Sequence, residues 1–566
     1  MADFDDNPLN NTENNFNDVG IIRESDNTRR NTVSIVNFGP GQNAENKYNK
    51  PKGLNQTINA HNKIAQNLAD EDEEETDENN DAEPEELDAR SPGDMNKTLD
   101  DIWTLQIYGR RDPKEKYVPF ESKNAKFFDR ILHPMQYGSL RGSVFGLSSM
   151  CLEAGSMVLA IRCQQFGMIP FLCFLVLGGL VAYWCLVMMI KAGKSIKEKN
   201  YSKVVKTILG DKVGVFMDVN IALYLFGALI SFQVIIYQVI GAVVYDIMDI
   251  AGSIDKNEYA DFPKYLENYW GQKLYLKFPI MLGVAALVFP LCLLKDISKM
   301  RLASLFGVLA LVYSIIVVVI ESFFYLFNEH WDIIGDMNWI DFRNAFKLGK
   351  GGIPFFGGIA TVFYIYSCHA GAFPVYKTLR NNTTRRIKKV FRLSILLDIG
   401  VYFTIAAASF LTAPKDPPDL ILYRPNLKSF SPDYFILIAK IGIICNLFFS
   451  TPANYAGFRL SFFELVWGNT NITTMKNFFV TLGVLLVVVL IGALYDKILE
   501  YIELLGGFCS VIYTILIPGL IYVKNENIKK TKLVKYSTIF IIFILFTIGY
   551  TSGILTILFN MVKING

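Results

Sequence analysis

Eleven stretches of the chain are long and apolar enough to cross a bilayer, and two of them are interrupted in their middles by small and polar residues. The stretches run near 143–161, 168–190, 213–245, 278–294, 302–327, 353–376, 390–413, 433–458, 477–495, 498–523 and 537–561. A hydrocarbon core about 30 Å thick needs about 20 helical residues, so nearly all of them qualify. Backbone in lipid must satisfy its own polar groups, so the expected fold class is an all-α integral membrane protein. The interrupted stretches are the first and the sixth, which hold equivalent places if spans one to five and six to ten form two halves. Matching interruptions in two halves point to a transporter's binding site.

Charge sorting orients the chain. Lys and Arg number seven in 191–212, three in 295–301, seven in 377–392, two in 459–476 and five in 524–535. The alternate loops carry one at Arg162, four in 246–278, three in 327–352, three in 413–433 and one in 496–499. The excess puts the amino terminus in the cytosol and the carboxyl terminus outside or in a lumen. The run 213–245 could instead be two spans, but that would move the basic loops 377–392 and 524–535 out of the cytosol. One tilted helix that projects beyond the bilayer is the reading adopted.

Three regions follow. Residues 1–100 are Asn-rich, and 13 of the 19 residues 70–88 are Asp or Glu. Such a segment buries too little apolar surface to offset its ordering entropy, so it is expected to be a disordered cytosolic tail; what protein it would dock to is unknown. Residues 101–141 carry Trp103, Phe120, Phe127 and Phe128 with eight Lys or Arg, the pattern of an amphipathic juxtamembrane segment on anionic headgroups. Residues 142–566 are the transmembrane domain. All eight cysteines lie within apolar segments, so no disulfide framework or metal-finger spacing arises. The start lacks a basic region and an apolar core, so no cleaved signal peptide is expected. Tyr117–Phe120 and Tyr137–Leu140 fit a loose tyrosine sorting pattern, which favours a vacuolar or lysosome-like membrane over the plasma membrane.

The interruptions carry the chemistry. In the first span, Glu153 precedes Ala154, Gly155, Ser156 and Met157. Small residues let a helix unwind and let a ligand approach the backbone. The freed amides suit a substrate carboxylate and the freed carbonyls a cation; alternatively, the triplet only permits close helix packing. A charge at mid-membrane costs about 3 kcal/mol or more, and intramembrane acids mark ion pathways. Glu153 is therefore either an ion-coupling group or a structural partner of Arg162 or Lys440. The sixth span reads Phe363, Tyr364, Ile365, Tyr366, Ser367, Cys368, His369, Ala370 and Gly371, with Pro374 close behind. Phe363, Tyr364 and Tyr366 could wall a pocket and receive an ammonium over a ring face. Ser367 and Cys368 are candidate substrate contacts. His369 could relay protons or be tied to a backbone carbonyl. Ser450 and Thr451 in the eighth span could add oxygens to a sodium site. Asp218, Asp398 and Lys440 are further buried charges whose spacing leaves a pathway or a structural pair open.

These residues resemble the amino acid/auxin permease family, closest in motif to its neutral amino acid transporter branch. Cys368-His369 with Phe373-Pro374-Val375-Tyr376 is similar to that branch's sixth-span signature. Glu153–Met157, Pro290–Ser304, Thr451–Arg459 and Leu505–Tyr522 match further family positions in order. The resemblance implies an inverted five-plus-five helix bundle importing amino acids toward the cytosol, with the substrate site between spans one, three, six and eight. It departs where the family's first Gly is Glu153 and where an Asn common in the sodium-coupled branch is Ser149. Those departures count against sodium coupling, and Glu153 as a buried acid in the broken helix favours protons. The sixth-span aromatics, with no dense acidic cluster, favour neutral, large or aromatic substrates. Cationic substrates are the alternative, since Glu153 and Asp398 could offset their charge. No paired acids or nucleophile–base pair recurs, so an enzyme is not expected. No cofactor other than H+ or Na+ as coupling ion, and no nucleic-acid partner, is implied. An amino-acid sensor signalling through its tail is the competing class.

Overall fold

Apolar sequence winds into helix throughout the computed structural model, which describes residues 138–152, 154–252, 274–294, 301–324, 353–380, 382–412, 420, 422, 433–468, 473–495 and 497–565. The expectations for the tail, for most of the juxtamembrane segment and for Glu153 lie outside the described residues. No strand occurs among the described residues.

The first apolar stretch forms α1 (Leu140–Cys151), a 3₁₀ turn (Ala154–Val158) and α2 (Leu159–Phe166). The second is α3 (Met168–Ser195), followed by a short helix, α4 (Tyr201–Leu209). The third is α5 (Asp211–Ile250), a single 40-residue helix rather than two spans. Then come α6 (Leu274–Cys292) and α7 (Arg301–Phe324). The sixth stretch is α8 (Ile353–Ile365), a 3₁₀ turn (Cys368–Gly371) and α9 (Ala372–Thr378). After it stand α10 (Thr384–Thr412), α11 (Tyr434–Trp467) and α12 (Thr474–Leu494). The tenth begins as α13 (Ile498–Leu504), continues through two π-helical segments (Leu505–Ser510 and Ile512–Leu516) and ends as α14 (Ile517–Lys524); α15 (Lys532–Asn565) follows. Seven of these, α3, α5, α10, α11, α12, the α13–α14 run and α15, are each long and apolar enough to cross a membrane. The first stretch qualifies as a pair of helices bent by 54°, and α6 and α7 contain shorter apolar helices, Leu276–Cys292 and Leu309–Phe324.

Side chains close the helix ends that lipid cannot satisfy. The Ser139 hydroxyl accepts from the Gly142 amide at 3.1 Å, and Asp433 accepts from the Phe435 and Ile436 amides at 3.1 Å each. Arg459 of α11 donates to the Cys292 carbonyl at 3.2 Å and to that of Leu294 at 3.4 Å, capping α6. In the loop after α14, the Lys530 ammonium donates to the carbonyls of Tyr522, Val523 and Asn525. Desolvation there, with Lys535 beside it, holds Lys530 below its ordinary value.

The basic loops gather at one end of the bundle. The Arg380 amide donates to the Gly138 carbonyl at 3.1 Å, Lys194 to the Thr384 hydroxyl at 3.0 Å, and Asn525 to the Ser195 hydroxyl at 2.5 Å. There α4 turns Tyr201, Val204 and Val205 inward. Its Lys206 sits between Asp218 at 3.1 Å and Glu464 at 3.2 Å. At the other end, Arg162 pairs with Glu503 at 2.5 Å and Lys440 with Asp246 at 2.6 Å, all four side chains buried. These are the two cations expected as possible partners of Glu153, which itself lies outside the described residues. Lys440 and Asp246 meet because α5 and α11 share the most extensive helix interface among the described elements.

Candidate functional site: two broken spans joined by a tyrosine

The helices of the first and sixth apolar stretches each stop short and resume, and the two stopping points face each other. The helical ladder of α1 ends with the Leu152 amide on the Ser148 carbonyl at 3.0 Å. Leu152 then turns out of helical conformation at φ −79°, ψ 52°, and Ala154–Val158 resume as a 3₁₀ turn. In the sixth span α8 stops at Ile365, and Ser367 lies at φ −80°, ψ 36° before the turn Cys368–Gly371. Ending a helix frees its last carbonyls. The Tyr402 hydroxyl of α10 takes up one from each break: it lies 2.6 Å from the Cys151 carbonyl and 2.9 Å from the Ile365 carbonyl. A carbonyl expected to be free for a cation therefore already accepts from a protein hydroxyl.

Gly155 shows how tightly the two breaks meet. A Cβ built there would stand 2.6 Å from Ile365 Cγ2 and 2.9 Å from Tyr364 Cδ1. Only glycine admits that approach. The close-packing reading of Ala154–Ser156 thus has a direct structural basis, alongside the ligand reading. Ser156 and Met157 are buried.

The sixth-span aromatics point different ways. Tyr364 faces the first break, with Tyr224 of α5 at a centroid distance of 5.9 Å. Tyr366 turns instead to α3 and α10: its hydroxyl donates to the Leu175 carbonyl at 2.9 Å and its ring meets Tyr402 edge-on at 5.5 Å. Phe363 leans toward α15, near Gly549. Tyr364 is therefore the aromatic at the junction, and Phe363 and Tyr366 anchor the broken span to its neighbours.

Ser367 is held by the tenth span. Its hydroxyl is 2.7 Å from that of Ser510, which also lies 2.7 Å from the Phe363 carbonyl, and the Ser367 carbonyl accepts from the Tyr513 hydroxyl at 3.0 Å. Ser510 can reach in because the tenth span is π-helical there; π-helical turns recur at functional sites. Gly506 permits the same approach, since a Cβ there would fall 2.0 Å from the Ala360 carbonyl. Cys368 and His369 are fully buried. Among the described residues, the polar groups beside His369 are backbone groups of Tyr366 and Ala182, and neither ring nitrogen reaches hydrogen-bond geometry. Thr451 donates to the Leu447 carbonyl of its own helix at 2.7 Å. Among the described residues, neither Ser450 nor Thr451 hydrogen-bonds to the first break.

Sequence reasoning missed Tyr402, Ser510, Tyr513 and Tyr224, which carry no local signature. Asp398 it noted only as a buried charge. The structure puts Asp398 at the middle of α10, wholly buried, with the Ser148 hydroxyl and Cys151 thiol of α1 within its reach. No group of three or more His, Cys, Asp or Glu suited to a metal occurs among the described residues.

Comparison with known proteins follows the same lines. A family described as transmembrane amino acid transporter protein matches residues 137–559. The chain is 26% identical over 276 residues to sodium-coupled neutral amino acid transporter 7 of Xenopus laevis, a match covering 48% of this chain and 54% of that protein. It is 24% identical over 327 residues to the protein of the same name from Homo sapiens, covering 56% and 62%. Amino acid transporter AVT6E of Arabidopsis thaliana is 22% identical over 342 residues, covering 59% and 66%. The chain thus spans between about half and two thirds of the length of these relatives. Among solved structures, MhsT in complex with L-phenylalanine aligns over 74% of this chain and 100% of that one, at 13% identity and a TM-score of 0.47.

Proposed function

Because this chain belongs to the family of transmembrane amino acid transporter proteins, we propose that it is a secondary active carrier moving neutral amino acids, large or aromatic ones foremost, toward the cytosol. It is a multi-pass membrane protein of a transporter family, not an enzyme family. The observation that carries the proposal is the meeting of two broken spans at Tyr402. Broken helices at the bilayer midplane, one from each half of a carrier, form substrate and ion sites in many transporter folds. An eleven-span bundle with an inverted five-plus-five repeat accounts for this pairing. In it, the first-span amides at Ala154–Ser156 meet the substrate carboxylate, and Tyr364 with Tyr224 lines its side-chain pocket. Residues of the tenth span join the site through Ser510 and Tyr513.

The gathering of basic loops at one end supports a cytosolic amino terminus under the positive-inside rule. Protons are the proposed coupling ion, carried by an acid at the first break. Glu153 could be protonated from an acidic lumen and release its proton to the near-neutral cytosol. A vacuolar or lysosome-like membrane fits that gradient, with the plasma membrane second.

A second reading, sodium coupling, is favoured by the names of the Xenopus and human relatives. Purified chain in liposomes, offered each common amino acid with sodium and pH gradients imposed separately, tests both. Uptake driven by the pH gradient alone supports the first reading, and uptake driven only by sodium supports the second. Absence of any flux, with amino acid binding intact, would favour a sensor.

A further inference from the structure

Asp398 stands at the middle of α10, wholly buried, and among the described residues neither of its carboxylate oxygens has a hydrogen-bond partner. Among the described residues no lysine or arginine pairs with it. An ionised carboxylate buried without a counter-charge is strongly unfavourable, so such a group is either neutralised by a proton or joined by a cation. The carboxylate faces the Ser148 hydroxyl and Cys151 thiol of α1. The Cys151 thiol in turn lies beside that of Cys368 at the sixth-span break. Among the described residues, Tyr366 and Tyr402 also interact with it. No acid or base of α2, α3 or α7, which also pack on α10, is among the described groups that act on it. Glu153, two residues beyond Cys151 in the sequence, lies outside the described residues.

We propose that Asp398 is a binding site for the coupling proton, placed where its charge controls the bridge between the two broken spans. Two features select a proton over a metal cation. Sodium is a hard ion that needs several oxygens, whereas one of the two groups facing Asp398 is the Cys151 thiol, with the Cys368 thiol beside it, and thiols suit soft metals. The Tyr366 hydroxyl is already spent on the Leu175 carbonyl.

The control follows from counting protons. Tyr402 has one hydroxyl proton and two carbonyl acceptors, Cys151 and Ile365. Asp398 lies one helical turn before Tyr402, on the same side of α10. Ionised, Asp398 is an acceptor only and competes for the protons of Ser148, Cys151 and Tyr402. Protonated, it becomes a donor and leaves the Tyr402 proton to the two breaks. Binding adds a proton to a carboxylate oxygen and release removes it; no other bond is made or broken. The breaks are thus held together in the protonated state and loosened in the ionised one.

This inference rests on the ion-coupled carrier reading, but not on Glu153. Two measurements keep them separable. Infrared difference spectra of the purified wild-type chain, recorded between acid and alkaline pH without substrate, should contain the carbonyl band of a buried protonated carboxyl. Asp398→Asn should abolish that band, and Asp398→Glu should shift it. In liposomes, Asp398→Asn should abolish pH-driven accumulation, while Asp398→Glu should retain it with a displaced pH dependence. Thermal melting of each variant reports on folding. A wild-type band that survives in Asp398→Asn, or pH-driven accumulation undiminished in that variant, overturns the proposal. So does loss of sodium-driven rather than pH-driven uptake in Asp398→Asn. A wild-type chain that moves no amino acid while the Asp398 band is present would instead sink the carrier reading.

Discussion

The phenolic oxygen of Tyr402 lies 2.6 Å from the carbonyl oxygen of Cys151. Cys151 ends the first half of the first span, and the same phenol stands 2.9 Å from the carbonyl of Ile365, which ends the first half of the sixth. Two helix ends that would each need a partner thus share one. In Tyr402→Phe the ring contact with Tyr366 survives and only the hydroxyl is lost. Leaving buried carbonyls without their donor costs about 1–3 kcal/mol. The variant should melt at lower temperature and transport poorly. Wild-type melting and uptake together would show that the bridge is dispensable.

The buried pair Arg162–Glu503 joins the first and tenth spans at the end away from the basic loops. Glu503→Gln strands the Arg162 guanidinium in a buried site, and breaking such a pair costs about 3–5 kcal/mol. Replacing both by apolar residues, Arg162→Met with Glu503→Leu, should cost less than Glu503→Gln alone. Detergent melting curves of the three proteins decide it; a double variant less stable than the single one would refute the prediction.

Gly155 distinguishes packing from ligand binding. Gly155→Ala drives a methyl into Ile365, an overpacking that costs about 1–3 kcal/mol. If the glycine serves packing alone, Ile365→Ala in the same chain should restore substrate affinity. If backbone at 154–156 holds the substrate carboxylate, affinity stays low in the double variant although stability recovers. Affinity measured beside melting temperature separates the two outcomes.

The proposed orientation puts loop 377–392 in the cytosol and loop 246–278 across the membrane. Cysteines introduced at Asn382 and Asp261 should therefore react with an impermeant reagent from opposite faces. Reaction of both from one face would remove the eleven-span topology.

For the driving ion, Glu153→Gln should abolish the response of uptake to a pH gradient. Continued concentrative uptake driven by protons alone in this variant would make Glu153 structural. Asp398 would then be the remaining acid at the first break.

That the chain is all-helical and crosses a membrane was legible in the residues themselves, as were the small and polar residues of the two candidate interruptions and the sorting of charge among the loops. Each depends on a local property: apolar length against bilayer thickness, small and polar residues at 154–156 and 366–371, and lysines and arginines counted loop by loop. Lipid enforces that reading, because backbone there has no water to bond and must wind into helix. Tertiary structure alone decided which groups meet. Tyr402 reads as one more aromatic in an apolar run, yet it reaches Cys151, 251 positions away. Nothing along the chain marked Asp246 and Glu503 as the acids that packing sets against Lys440 and Arg162. Ser510 enters the site because the π-helical winding of the tenth span and its glycines bring that backbone against the sixth. Pairings of this kind depend on distances across the bundle, which no periodicity along the chain encodes.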